Sequence, residues 1–154
     1  MRDALADATK LEGPTGSLAN KFTRLTSISR GQALDDLLEE ARLGNIEIRS
    51  DEGAQVYLDW AARVQGVDPS NINAVTLGDL ILVRPEYVEN VRVLREELIH
   101  VFQQRAGMVS ADRVQYEIEA RLEIIKFRYK WSITNDEVKE MIADIRQMRK
   151  TGRY

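Results

Sequence analysis

The chain has no cysteine and a single histidine, His100, among its 154 residues. The first absence removes disulfides, thiolate zinc sites and cysteine nucleophiles together. The second excludes any site that needs two imidazoles from one chain, such as a two-histidine zinc centre or a double Glu-x-x-His di-iron bundle. Chemistry in this protein runs on carboxylates plus one imidazole. No apolar run approaches the roughly 20 residues that span a bilayer. The opening "MRDALADATKLEGPTGSLANK" has no continuous apolar segment, so it does not read as a secretory signal. A net charge of −3 gives no general reason to expect nucleic-acid binding, and the locally basic "RQMRKTGRY" is more cheaply a solvated tail.

What is present suits one globular domain, with 44% hydrophobic and 31% charged residues. Residues 1–30 are rich in Ala, Gly, Ser and Thr and read as an arm or linker, with a short helix expected near Ala4–Lys10. Residues 31–154 carry the periodic segments. "GQALDDLLEEARLGN" has helical spacing through Leu34, Leu37, Leu38 and Ala41, and "IEIRS" alternates as a short strand. "EGAQVYLDWAARVQG" is read as a second amphipathic helix on Val56, Leu58, Trp60, Ala61 and Val64. "INAVTLGDLILVRP" reads as two strands around a turn at Leu77-Gly78-Asp79. Three helices follow: "EYVENVRVLREELIHVFQQRAG", "SADRVQYEIEARLEIIKFRYKWS" with Ser110 as N-cap, and "EVKEMIADIRQMRK". The expected class is α+β, a small sheet with helices packed mostly on one side. Trp60 and Trp131 stand at apolar helical spacing and are expected in the core.

The first of those three helices carries "REELIHVFQQ". At about 100° per residue, Val91, Leu94, Leu98, Val101 and Phe102 cluster on one side. Glu96, Glu97, His100, Gln103 and Gln104 share an arc of roughly 120° on the other. Two carboxylates, an imidazole and two amides on one face can present ligands to a metal. They can equally be the wet face of an amphipathic helix. The next helix is apolar on two sides, through Val114, Ile118, Leu122, Ile125 and Tyr129 and through Tyr116, Ala120, Ile124 and Phe127. It is therefore expected between other elements, and the Glu117, Glu119, Arg121 and Glu123 within it need partners. Arg121, four residues on, is a local partner for Glu117.

The pair "EELIHVFQQ" and "EIEARLEI" resembles zincin metallopeptidases, and is similar to the zincin-like domains at the C-termini of bacterial polymorphic toxins. The resemblance covers roughly residues 45–145. It implies that Glu97 is the general base that activates a water, His100 a metal ligand and Glu117 a further ligand, with Glu119 as the alternative to Glu117. It also implies zinc as the cofactor, a protein substrate, a cognate immunity protein as partner, and an effector that is delivered to and acts in the cytoplasm of a target cell. Two positions depart from the pattern: Glu96 stands where the first metal-binding histidine would be, and Arg121 where the family has aspartate. Oppositely charged residues there can form a bidentate ion pair, and Glu96 is expected to turn toward Arg121 and away from a three-ligand site; if Glu96 ligates instead, the set is two carboxylates and one imidazole, which suits zinc and also manganese or ferrous iron. Arg121 and Gln104 are expected to support the site. The alternatives are metal-free acid/base chemistry on the same scaffold, such as nucleic-acid cleavage, or an inactive binding or interaction module.

Overall fold

A computed structural model describes residues 28–108 and 113–154. The expected helix near Ala4–Lys10 and the expected N-cap at Ser110 lie outside the described residues. The element order is α1 (Arg30–Leu43), β1 (Glu47–Arg49), α2 (Glu52–Gln65), β2 (Ala74–Leu77), β3 (Leu80–Val83), α3 (Val91–Arg105), α4 (Arg113–Lys126) and α5 (Asn135–Thr151). The class is α+β, as expected. No helix among the described residues is long and apolar enough to cross a membrane.

The three strands form one sheet in the order β1-β3-β2. Strands β2 and β3 make the expected hairpin, Leu77 facing Leu80, and Gly78 takes the left-handed φ of 65° that the turn requires. Strand β1 pairs in parallel with β3, Glu47 opposite Leu80, so α2 serves as a crossover. Side chains alternate across a strand, and β3 shows it. Ile81 and Val83 join Leu37, Leu94 and Leu98 of α1 and α3 on one face. Leu82 meets Ala54 and Leu58 of α2 on the other. Helix α4 then packs beyond α3 through Ala120 and Ile124, which meet Ile99 and Trp131. Ile118 of α4 meets Ile145 and Met148 of α5.

The helix ends follow their capping residues. Asn90 Oδ1 accepts from Val93 N at the start of α3, and Asp51 Oδ1 from Ala54 N at the start of α2. Thr134 and Glu137 form a reciprocal capping box on α5. Arg30 reinforces it, with Nη1 and Nη2 donating to Glu137 Oε1 and Oε2 at 2.7 and 3.0 Å.

Several expectations are corrected. On α2 the buried face is Ala54, Leu58, Ala61 and Ala62, whereas Val56, Trp60 and Val64 are exposed. The reason is steric, because three alanines let the α2 backbone lie close to the sheet where Trp60 could not. Trp60 is thus outside the core, against Tyr57, while Trp131 is buried as expected. On α1, Leu38 is exposed and Ala33, Leu37 and Ala41 take the inner stripe. Phe102 of α3 is also exposed, with Val101 filling the core in its place. Helix α4 stops at Lys126 instead of running to Ser132. The chain then turns, with Ser132 at a φ of 55°, to bring Trp131 beneath Arg95. Leu122 and Phe127, expected on the apolar sides of α4, are exposed.

Candidate active site

Helix α3 is buried all round over most of its length, including Arg95, Glu96, Glu97 and His100. Over Glu96, Glu97 and His100 the polar face is therefore not a wet face, because α4 and β2 cover it, while Gln104 stays exposed. Burying charge demands compensation, and the compensation follows helical spacing. On α3, Arg92, Glu96 and His100 stand four apart, and on α4 so do Arg113, Glu117 and Arg121. The two ladders face each other.

His100 Nε2 is the meeting point, 3.4 Å from Glu117 Oε1 and 3.8 Å from Glu96 Oε2. Arg121 Nη1 approaches the same two oxygens, at 3.0 and 3.7 Å. The outer oxygens have outer arginines: Arg113 Nε donates to Glu117 Oε2 at 3.1 Å, and Arg92 Nη1 lies 2.9 Å from Glu96 Oε1. The last contact is an ion pair without hydrogen-bond alignment, and Glu96 Oε1 is buried with no hydrogen-bond partner. The expected pairing of Glu96 with Arg121 is present as a single contact of 3.7 Å, not a bidentate one, and the expectation that it turns Glu96 away from a three-ligand group is corrected, because Glu96 stays beside His100 and Glu117. Arg121 bonds its own-helix neighbour Glu117, its Nε reaches Asp144 Oδ2 at 3.3 Å, and Glu96 is nearer to Arg92. The i,i+4 geometry within one helix wins over the longer reach between helices.

The imidazole is held on its other edge. Gln103 Nε2 donates to the Tyr116 carbonyl at 3.1 Å, which turns Gln103 Oε1 to His100 Nδ1 at 2.7 Å. His100 Nδ1 is therefore the donor, and Nε2 is the nitrogen aimed at the carboxylates. The Tyr116 ring stacks on the imidazole, centroids 4.4 Å apart, and Gln104 Nε2 donates to the Tyr116 hydroxyl. Glu97 is held separately. Thr76 Oγ1 on β2 lies 2.8 Å from Glu97 Oε1 and 3.0 Å from its carbonyl oxygen.

These surroundings spread the ionisation of the group widely. Burial pushes the Glu97 carboxyl up to about 7, and the charge of Glu96 adds to the rise. For Glu96, burial acts in the same direction, but the nearby His100 imidazole and the charges of Arg121 and Arg92 outweigh it and bring the group down to about 2. Burial opposes the charged form of His100, yet its ion pairs with Glu117 and Glu96 raise it to about 11. Glu117 is lowered by His100 against its own burial.

Glu96, Glu97, His100, Gln104 and Glu117 line one cavity of about 230 Å³, with Thr76 and Tyr154 on its wall. An adjoining cavity of about 420 Å³ is lined by Arg92, Arg121 and Asp144, and shares Glu97 and Tyr154. Glu119 lies outside both: it accepts from Gln115 on the surface of α4, so the alternative ligand is corrected. Neighbouring helical residues face about 100° apart, and Ile118 and Ala120 fix which glutamate points inward. Sequence reasoning did not assign Arg92, Arg113, Thr76 or Tyr154 to the site. The two arginines had a signal, since each stands four residues before a buried glutamate. Thr76 and Tyr154 had none, because only the tertiary fold brings them there.

The donor set could hold a divalent cation. Glu96, His100 and Glu117 each offer one ligand atom, all within 4.8 Å of one another. The fixed Nδ1 proton directs the Nε2 lone pair inward once His100 is neutral. Comparison with protein-family models, curated proteins and solved structures finds no match.

Proposed function

We propose that the chain is a zincin-like hydrolase domain of the polymorphic-toxin type, which cleaves a protein substrate in a target bacterial cell and is blocked by a cognate immunity protein. The observation that carries the chemistry is the convergence of Glu96, His100 and Glu117 within 4.8 Å of one another, with Glu97 on the wall of the same cavity. The three would hold zinc, and two carboxylates with one imidazole also suit manganese or ferrous iron. Bound there, the cation supplies a Lewis acid that polarises a carbonyl and acidifies water. Glu97 is the general base: on the wall of the same cavity, it would take a proton from the attacking water and return it to a leaving amine. Thr76 fixes one carboxylate oxygen, which restricts the direction of that transfer. Gln103 and Tyr116 hold the imidazole plane, and Arg92 and Arg113 hold the outer carboxylate oxygens.

A second reading keeps the scaffold without the metal. It is favoured by Arg121 Nη1, which already places a cation 3.0 Å from Glu117 Oε1 and 3.7 Å from Glu96 Oε2. Glu97 and His100 then act as an acid/base pair, for example on nucleic acid.

Elemental analysis of protein purified without chelator separates the two readings. About one equivalent of zinc, manganese or iron, lost in His100→Ala, is expected from the first. Production of the wild-type domain alone inside a bacterium should arrest growth, and Glu97→Gln should relieve the arrest. Equal growth of the two strains at equal soluble expression sinks the hydrolase-toxin reading.

A further inference from the structure

The geometry points to Arg121 as an exchangeable internal counter-cation: a side chain that neutralises the inner carboxylate oxygens of Glu96 and Glu117 and must leave them for a divalent cation to bind. This inference rests on the metal-site reading above and names the residue that sets its affinity.

Glu96 and Glu117 each use their two oxygens differently. The outer pair, Glu96 Oε1 and Glu117 Oε2, faces Arg92 and Arg113, and these contacts orient the carboxylates without entering the space between them. The inner pair, Glu96 Oε2 and Glu117 Oε1, faces His100 Nε2 and Arg121 Nη1. A metal on His100 Nε2 and these two oxygens therefore competes for the lone pairs that Arg121 now uses. Two full positive charges so close together in a buried site repel strongly. One of them has to move.

Arg121 also has somewhere to go. Its Nε already lies 3.3 Å from Asp144 Oδ2 on α5, a half-exposed carboxylate on the wall of the larger cavity. Rotation about the outer side-chain torsions keeps this partner while withdrawing Nη1 from Glu117, so the guanidinium stays paired and need not be stranded. Arg113 reaches only the outer oxygen of Glu117 and stacks on the Tyr154 ring, half in solvent, and Arg92 pairs with Glu96 Oε1. Among the described residues, Arg121 is the arginine that combines the blocking position with a second carboxylate to move to.

The test is cation affinity, read by competition of Zn²⁺ against a chromophoric chelator and by the imidazole NMR signals of His100, the chain's one histidine. Arg121→Gln should bind Zn²⁺ at least tenfold more tightly than wild type. Glu117 keeps Arg113 and His100 as partners in that variant, and circular dichroism with a thermal melt checks its fold. Arg121→Lys, which retains the charge, should stay within about threefold of wild type. In the wild-type protein, Zn²⁺ should shift the guanidinium signals of Arg121 in the same titration that shifts His100, a measurement that needs no substitution. Tight binding by wild type with no gain in Arg121→Gln, or a His100 shift that leaves Arg121 unmoved, overturns the inference while leaving the metal site standing. Failure of every one of these proteins to bind Zn²⁺, Mn²⁺ or Fe²⁺ overturns both.

Discussion

Replacing the base should make the protein more stable, and by an amount that depends on pH. Glu97 is 9% exposed, and burial, with the adjacent Glu96 charge, lifts its carboxyl from the ordinary 4.5 to about 7. The sign follows from linkage. Below pH 4.5 the group is protonated in both the folded and unfolded chain and contributes nothing to the pH dependence. Between 4.5 and about 7 the unfolded chain ionises first, so stability falls as pH rises, and above 7 the full loss is present. At about 1.4 kcal/mol per pH unit the loss is on the order of 3 kcal/mol. Glu97→Gln keeps the shape and the bond from Thr76 but cannot ionise. In chelator, urea denaturation should therefore show wild type and Glu97→Gln within about 1 kcal/mol of each other at pH 4, a difference ordinary for a near-isosteric change. At pH 8 the variant should be more stable by about 2–3 kcal/mol. A gain of the same size at both pH values, or no gain at pH 8, refutes the account of Glu97 as a buried carboxyl held away from its ordinary ionisation.

Leu98→Ala, at a fully buried position between α3 and the sheet, should cost about 2–5 kcal/mol in chemical denaturation without changing the cooperativity of the transition. Glu137 is lowered by its bonds to Arg30 and Thr134 against partial burial, so its contribution is present above 4.5 and lost as pH falls through its lower folded value. Glu137→Gln should cost about 0.5–2 kcal/mol at pH 7, the range of a lost helix cap, and the difference from wild type should shrink toward pH 2. The two tryptophans should behave oppositely: Trp60→Ala should change stability by no more than about 0.5 kcal/mol, and Trp131→Ala should cost about 3–5 kcal/mol. Iodide should quench Trp60 fluorescence far more than that of Trp131, which lies 4.3 Å beneath the Arg95 guanidinium.

The sheet was legible because its strands carry strong local signals: alternation at Ile46 and Ile48, and a continuous apolar run through Ile81–Val83 that only a strand buried on both faces needs. Helix α3 was legible in extent, yet its burial was not. A face of Glu96, Glu97 and His100 has the same spacing whether it meets water or another helix, and α4 decides between them. The phase of α2 misled because a tryptophan outweighs an alanine in any hydrophobic count, whereas close packing on a sheet prefers the alanine. The local half of the site, Glu96 with His100 and Glu117 with Arg121, was readable from four-residue spacing. Its division of inner and outer oxygens among three arginines was not, since that depends on how far apart α3 and α4 sit.

The two ladders belong to different parts of the molecule. Glu96, Glu97 and His100 ride on the helix that is packed into the sheet with Leu94 and Leu98. Glu117 and Arg121 ride on α4, whose Ile118 is tied to α5 through Ile145 and Met148. The site is thus a seam between a sheet-anchored body and a helical pair, and separating them need not break a single hydrogen bond of the sheet. Anything that engages both sides of the seam at once acts as a clamp. Its binding free energy adds directly to the resistance of α4 and α5 against local opening. Hydrogen exchange in those two helices would therefore slow on occupancy, even at amides remote from the ligand. An inhibitory partner that seeks a lasting hold on this protein gains most by bridging that seam, because dissociation and the opening of the helical pair then oppose each other.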